Sequence, residues 1–217
     1  MSESNITRKL NPKEKLTIQL AKSYYGGKSP IQLIYIPKAD KEFIIAFKSD
    51  PNLDRTCEIS ILDGPEHIGN PASFIRYEIR DYGMHIGYFK TQYEYQGLGI
   101  GKFIYQLAQA HADKLGLKFS NGLICPIGDI KGITSSEPGN LQREYKFLTL
   151  MYHALGNNIV EKKTFQGINL EFEDNWKRGQ KLAKLSENQK EYLDKIVTFE
   201  LAKNEKYIEK MNKGKGR

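Results

Sequence analysis

Cysteine is nearly absent from this chain: two occur in 217 residues, Cys57 and Cys125. Neither belongs to a CxxC pair, and no Cys/His cluster has the spacing of a zinc site. That excludes a disulfide framework and a structural metal, and it predicts free thiols in a reducing cytosol with no metal bound. Long apolar runs are missing as well. No stretch approaches the roughly 18 apolar residues of a membrane span, and residues 1–10 are polar, unlike a signal peptide. A cytoplasmic protein that does not enter membranes is expected. There is no internal repeat and no low-complexity tract.

Charge of one sign is also lacking over most of the sequence. Residues 175–217 carry 12 Lys/Arg against 6 Asp/Glu, whereas the rest of the chain holds 21 and 20. The overall +7 therefore belongs to the tail, and any electrostatic argument about partners concerns the tail. Acidic residues interleave with the tail lysines and no aromatic–basic alternation occurs, which speaks against nucleic acid and for a solvated helix face. A homodimer is left open.

What is present is an ordinary globular composition, 39% hydrophobic and 27% charged, sufficient for a core without staples. Asn11-Pro12-Lys13-Glu14 reads as a helix start: Asn11 caps, Pro12 suits the first turn and Glu14 completes a capping box. Leu16, Leu20 and Tyr24 give this helix its apolar stripe, and Gly26-Gly27 ends it. Strands are expected at 31–36, 43–47, 57–62, 73–80 and 84–91. The connections between them are mostly short, including Asp81-Tyr82-Gly83, so an antiparallel meander follows.

The second half changes period. Ile100, Phe103, Ile104, Leu107, His111 and Leu115 mark a helix, and Gly116 ends it. A strand at 117–125 stops at Pro126, and 127–139 is a long loop rich in Gly, Ser and Pro. A helix over 141–155 shows Leu141, Tyr145, Leu148, Tyr152 and Leu155 on one face. Strands at 159–163 and 168–172 close the body. Beyond 175, Leu182, Leu185, Tyr192, Ile196 and Phe199 form a heptad-like seam interrupted by Gln189, read as a helix packed on the domain or on a partner. Residues 213–217 are expected to be disordered. The reading thus divides the chain into a domain at 1–174 and a basic helical extension at 175–217.

The sharpest feature is Tyr95-Gln96-Gly97-Leu98-Gly99-Ile100-Gly101-Lys102, between a strand and an amphipathic helix. Alternating glycines let a ligand approach the backbone, and amides opening a helix bind anions. A Walker A loop fails here because Phe103, not Ser or Thr, follows Lys102, and Gln96 stands where its first glycine belongs. A dinucleotide fingerprint fails because the third glycine comes one residue early and a hairpin precedes the loop. What remains is (Arg/Gln)-x-x-Gly-x-(Gly/Ala), filled by Gln96, Gly99 and Gly101.

With the element order and Tyr152-His153-Ala154-Leu155-Gly156, that pattern resembles the GNAT superfamily of N-acetyltransferases, over roughly residues 16–172. The resemblance implies an α/β (α+β) acyltransferase fold, a mostly antiparallel mixed sheet flanked by helices, with the C-terminal helix as an extension. It implies acetyl-CoA as acyl donor and a primary amine of an unidentified acceptor as partner. It places the pyrophosphate on the loop, Gln96, Gly97, Leu98, Gly99, Ile100, Gly101 and Lys102. The pantetheine arm falls along the strand near Phe89 and Thr91, and the acid that protonates the leaving thiolate is Tyr152. This sequence departs from the pattern at Tyr145, where many members have Asn, at Asn157, where many have Phe, and in the length of the 127–139 loop.

Glu66, His67, Glu78, His85 and Glu94 are candidates for a general base, though a water chain can serve instead. His111 lies on a helix stripe and reads as a core histidine; Cys125 reads as a small buried apolar residue. Two other functions stay open: a catalytically silent CoA-binding or regulatory module, and a partner- or nucleic-acid-binding protein acting through the basic tail.

Overall fold

The computed structural model describes residues 8–50, 55–80, 83–120, 122–123, 140–164, 167–174, 181 and 185–214. The loop at 127–139, Cys125, the Asp81-Tyr82 pair, Trp176 and Leu182 lie outside the described residues.

Helix α1 (Pro12–Tyr25) starts as the sequence predicts. The Glu14 N–H donates to Asn11 Oδ1 at 2.9 Å, and the Asn11 N–H donates to Glu14 Oε2 at 2.8 Å. Five strands follow: β1 (Ile31–Ile36), β2 (Lys41–Asp50), β3 (Thr56–Leu62), β4 (Ser73–Arg80) and β5 (Gly83–Thr91). Each pairs antiparallel with its neighbour in sequence. After α2 (Ile100–Lys114), the short strand β6 (Phe119–Ser120) joins the edge of β5 in parallel. The strand expected at 117–125 is divided: β7 (Gly122–Leu123) leaves that sheet and pairs with β9 (Gly167–Asp174), itself paired with β8 (Asn157–Thr164). Helix α3 (Asn140–Ala154) precedes this second sheet, and α4 (Glu187–Gly214) ends the fold. The fold is mixed α+β.

The larger sheet is covered on both faces, as β2 makes plain. Phe43, Ile45 and Phe47 enter the main core with Ile100, Phe103, Ile104 and Leu107 of α2. Ile44 and Ala46 point the other way, onto Ala21 and Tyr25 of α1. Period-2 alternation on a two-sided sheet makes β2 apolar throughout.

The structure corrects the stripe on α1. Leu16, Leu20 and Tyr24 are 47%, 39% and 54% exposed, and the buried face is Thr17, Ala21 and Tyr25, one residue along. Small Ala21 lets the helix approach Ile44 and Leu62 closely, which bulkier residues on that row would prevent.

The C-terminal seam packs on the body itself. Tyr192, Leu193 and Ile196 are buried in the same core as α2, and the Tyr192 hydroxyl donates to Pro30 C=O at 3.0 Å. Gln189, read as an interruption, caps α4: the Ser186 N–H donates to Gln189 Oε1 at 3.0 Å, and the Gln189 N–H to Ser186 Oγ at 3.4 Å. Helix α4 continues to Gly214, into the segment expected to be disordered.

Candidate functional site

Two departures from a regular ladder open the middle of the larger sheet. In the β4–β5 pair the register shifts between Arg76 and Tyr77: Arg76 faces Tyr88 but Tyr77 faces Ile86. Gly87 is therefore the extra residue of a β-bulge, which bends and twists its strand. On the opposite edge of β5, β6 pairs only with Met84 and His85. Beyond His85 no strand among the described residues pairs with that edge.

Ladder alternation shows which backbone groups face the gap. The Gln92 N–H donates to Ala72 C=O at 2.9 Å, toward the β4 side. In an antiparallel pair, inward and outward backbone groups alternate along the strand. Thr91 and Phe89 thus turn their N–H and C=O outward, to the open edge. The outward Thr91 C=O accepts a hydrogen bond from Gln96 Nε2 at 3.1 Å, which fits this parity. The strand residues named from the sequence are those whose backbone is presented, while Gln96 anchors the loop to the strand end.

The loop itself is built on left-handed glycines. After a 3-10 turn at Tyr93–Tyr95, Gly97 has φ 85° and Gly99 has φ 80°, where side chains are strained. The first intrahelical bond of α2 runs from the Phe103 N–H to Gly99 C=O at 3.0 Å. The amides of Ile100, Gly101 and Lys102 precede the helical ladder, and no side chain caps them. Ile100 is fully buried and Leu98 packs on the core, pinning the loop from below. Gly101 is required by contact: a Cβ there would lie 2.7 Å from Thr91 Oγ1 and 3.2 Å from Phe89 Cζ. A Cβ on Gly97 would touch nothing within 4 Å.

One neighbour was not visible in the sequence. Lys38, in the turn between β1 and β2, passes over the loop, its Cβ 3.0 Å from where a Cβ on Gly99 would sit. Its aliphatic stem covers Gly99, and Lys38 and Lys102 are both exposed residues of this part of the surface. No local motif marks it; only the fold brings residue 38 to residue 99.

From Phe89 a run of rings leads to α3. Phe89 and Tyr105 have centroids 5.6 Å apart, and Tyr105 and Tyr152 6.0 Å. Tyr152 is buried, and burial pushes its phenol pKa well above the ordinary value, so it keeps its proton at neutral pH. Asn157, where the family pattern favours Phe, is buried with both ends of its amide satisfied. It accepts from the Tyr105 hydroxyl at 3.1 Å and donates to Tyr152 C=O at 2.8 Å. It ties the end of α3 to α2.

The candidate bases are dispersed. Arg80 pairs with Glu78, Lys13 with Glu66 at 3.0 Å, and His67 Nε2 lies 3.3 Å from the Tyr95 hydroxyl. Half-buried His85 faces Glu78 across the ladder, and Glu94 is exposed on the turn before the loop. His111 is fully buried in the core, as read from its stripe. No group of three or more His, Cys, Asp or Glu among the described residues could hold a metal ion.

No family model matches the chain, and no curated protein matches it. Among solved structures it is similar to a protein assigned to the GNAT family of acetyltransferases from Bacteroides thetaiotaomicron. The identity is 16% and the TM-score 0.36, over 61% of this chain and 69% of that one. At that level of likeness the functional reading rests on the site's own geometry.

Proposed function

We propose that the chain is a GNAT-type N-acetyltransferase that moves an acetyl group from acetyl-CoA directly to a primary amine. The observation that carries this reading is the open β5 edge running into uncapped helix amides. An extended ligand with amide groups can hydrogen bond to Phe89 and Thr91 as an added strand. Its pyrophosphate then meets the amides of Gly97 to Lys102 at the positive end of α2, with Lys102 nearby. A CoA thioester combines an amide-bearing arm with a pyrophosphate in one ligand.

In this reading the strand edge polarises the thioester carbonyl through a backbone N–H, an oxyanion-type contribution. The amine attacks that carbon, the tetrahedral intermediate collapses, and the C–S bond breaks. Tyr152, a neutral phenol, gives its proton to the departing thiolate, and the proton that the attacking nitrogen loses passes through water to restore the phenol. Proximity in the gap supplies much of the rate. No helix among the described residues is long and apolar enough to cross a membrane.

Calorimetric titration with acetyl-CoA, followed by thiol release with an amine panel, tests the reading in two stages. No binding at millimolar acetyl-CoA would overturn it. Binding without thiol release would leave the silent CoA-binding module instead. The tail-based alternative loses support where residues are described: Lys190 and Lys195 pair with Glu187 and Glu191 at 2.6 and 2.7 Å.

A further inference from the structure

On the face of β4 and β5 turned away from α2 lies a cavity of about 400 Å³, remote in character from the glycine loop. Ile75 and Tyr77 of β4 point into the core with α2, so their neighbours Phe74 and Arg76 point to the other face. Across the ladder, Phe74 pairs with Lys90 and Arg76 with Tyr88. All four line the cavity, closed on another side by Tyr24 and Tyr25 at the end of α1.

The lining has two parts. The first is a flat apolar wall: the Phe74 and Tyr88 rings stack with centroids 5.4 Å apart and planes 18° from parallel. Tyr88 is 43% exposed, so the wall has an uncovered face for a further planar group. The second part is charge. Arg76 and Lys90 line the cavity against one carboxylate, Glu58, and Lys48 Nζ stands 5.8 Å over the Tyr24 ring at its margin.

Glu58 decides the sign of the ligand. One of its oxygens accepts from Arg76 at 2.7 and 3.2 Å, and the other accepts from the Ser60 hydroxyl at 2.8 Å. An incoming ammonium would find both carboxylate oxygens engaged and two cations beside it. An anion would meet the guanidinium edge of Arg76 that Glu58 leaves uncovered.

We infer that this cavity binds a planar ring bearing a carboxylate or phosphate, the ring stacked on Tyr88 and the anionic group on Arg76. The inference stands apart from the acyl-transfer reading, since the cavity occupies the other face of the sheet. Its test is calorimetric titration of the full chain with 4-hydroxyphenylacetate and with adenosine 5′-monophosphate. The controls are the neutral rings 2-(4-hydroxyphenyl)ethanol and adenosine, and the ring-free anions acetate and inorganic phosphate.

At least one ring anion should bind about tenfold or more tighter than its neutral and its ring-free counterparts. Which one binds identifies the anionic group. Tyr88→Leu and Arg76→Gln should each remove that advantage, with melting curves showing that the variants fold. Arg76→Lys preserves the charge beside Glu58 and should lose only the forked contact, giving an intermediate affinity should the Gln variant not fold. Equal binding of a neutral ring or a ring-free anion overturns the inference, as does wild-type affinity in Tyr88→Leu. Binding abolished by Gly99→Asp and retained in Tyr88→Leu would move the anion to the loop and also overturn it.

Discussion

His111 Nε2 of α2 and Glu200 Oε2 of α4 lie 2.9 Å apart, both side chains sealed from solvent. Arg55 reaches the other Glu200 oxygen at 2.6 Å, and the Tyr77 hydroxyl sits 2.8 Å from His111 Nδ1. Burial acts to raise the Glu200 pKa, but His111 and Arg55 together hold it below the usual carboxylate range. Removing one partner of a buried pair leaves an uncompensated group and costs about 3–5 kcal/mol. Arg55 is 40% exposed and screened by solvent, so His111 carries the larger share. Glu200→Gln should lower the melting temperature by roughly 10 °C.

The same carboxylate fixes a pH dependence. Its folded pKa lies below its unfolded value of about 4.3, so its contribution is complete above about pH 5 and is lost as pH falls through the folded value. Melting curves from pH 7 to pH 3 should show wild type and Glu200→Gln converging at the acid end. A constant gap over that range would refute the role given to ionised Glu200.

Helix α4 divides energetically at Lys203, which bonds to Ser49 C=O. Deleting residues 204–217 should leave a cooperative unfolding transition and acetyl-CoA binding intact. Deleting from Glu187 onward removes Tyr192, Leu193 and Ile196, each worth about 2–5 kcal/mol when buried, and should leave no folded protein. Circular dichroism of the two truncations decides the matter.

Within the loop, two glycines should respond differently. Gly97→Ala meets no neighbour and should cost only the strain of its positive φ, about 1–2 kcal/mol. Gly101→Ala must push α2 away from Thr91 and Phe89, and should weaken acetyl-CoA at least tenfold more than Gly97→Ala. Thermal shift with acetyl-CoA reads both; Gly99→Asp, which places a carboxylate beside the helix amides, should show no shift.

Tyr152→Phe keeps the ring beside Tyr105 and removes the proton. Turnover should fall roughly 100-fold, with the melting temperature and acetyl-CoA affinity little changed. Full turnover in this variant would return Tyr152 to the core as a packing residue.

Asn157→Leu removes the hydrogen bond that its Oδ1 accepts from the buried Tyr105 hydroxyl, costing about 1–3 kcal/mol. Adding Tyr105→Phe should recover part of that loss, because the hydroxyl that donated to Asn157 is then gone. A strictly additive double-mutant cycle, measured by urea denaturation, would mean the two side chains do not interact.

Most elements were legible in the sequence because they rest on local chemistry. The capping box at Asn11, the strand periods from 31 to 91 and the loop at 96–102 are all written within a few residues. What escaped depends on distant partners. The α1 stripe shifted by one position because Ala21, not Leu20, fits against Ile44 and Leu62. Gln189 looked like a flaw in a seam because its role as a cap needs Ser186 at the helix start. Lys38 came to the loop only through sheet topology. The open edge of β5 has a faint signal at Gly87, but the bulge is defined only once β4 supplies a register. The segment 117–125 reads as one strand, and the polar Ser120-Asn121-Gly122 triplet in its middle gains meaning only once β7 is seen to pair with β9.

The order in which the chain is made gives the Arg55–His111–Glu200 cluster a further meaning. Strands β1 to β5 each pair with the strand made just before or after, so the meander can assemble while the rest is still being synthesised. At about 5–20 residues per second, Glu200 follows His111 out of the ribosome by roughly 5–20 s. During that interval the sheet lacks the side chains of α4 that seal it, and His111 and Arg55 have no carboxylate between them. Completion of the C-terminus is then the event that closes the protein, and a ribosome stalled before residue 200 would hold a nearly whole domain with its core still open to chaperones.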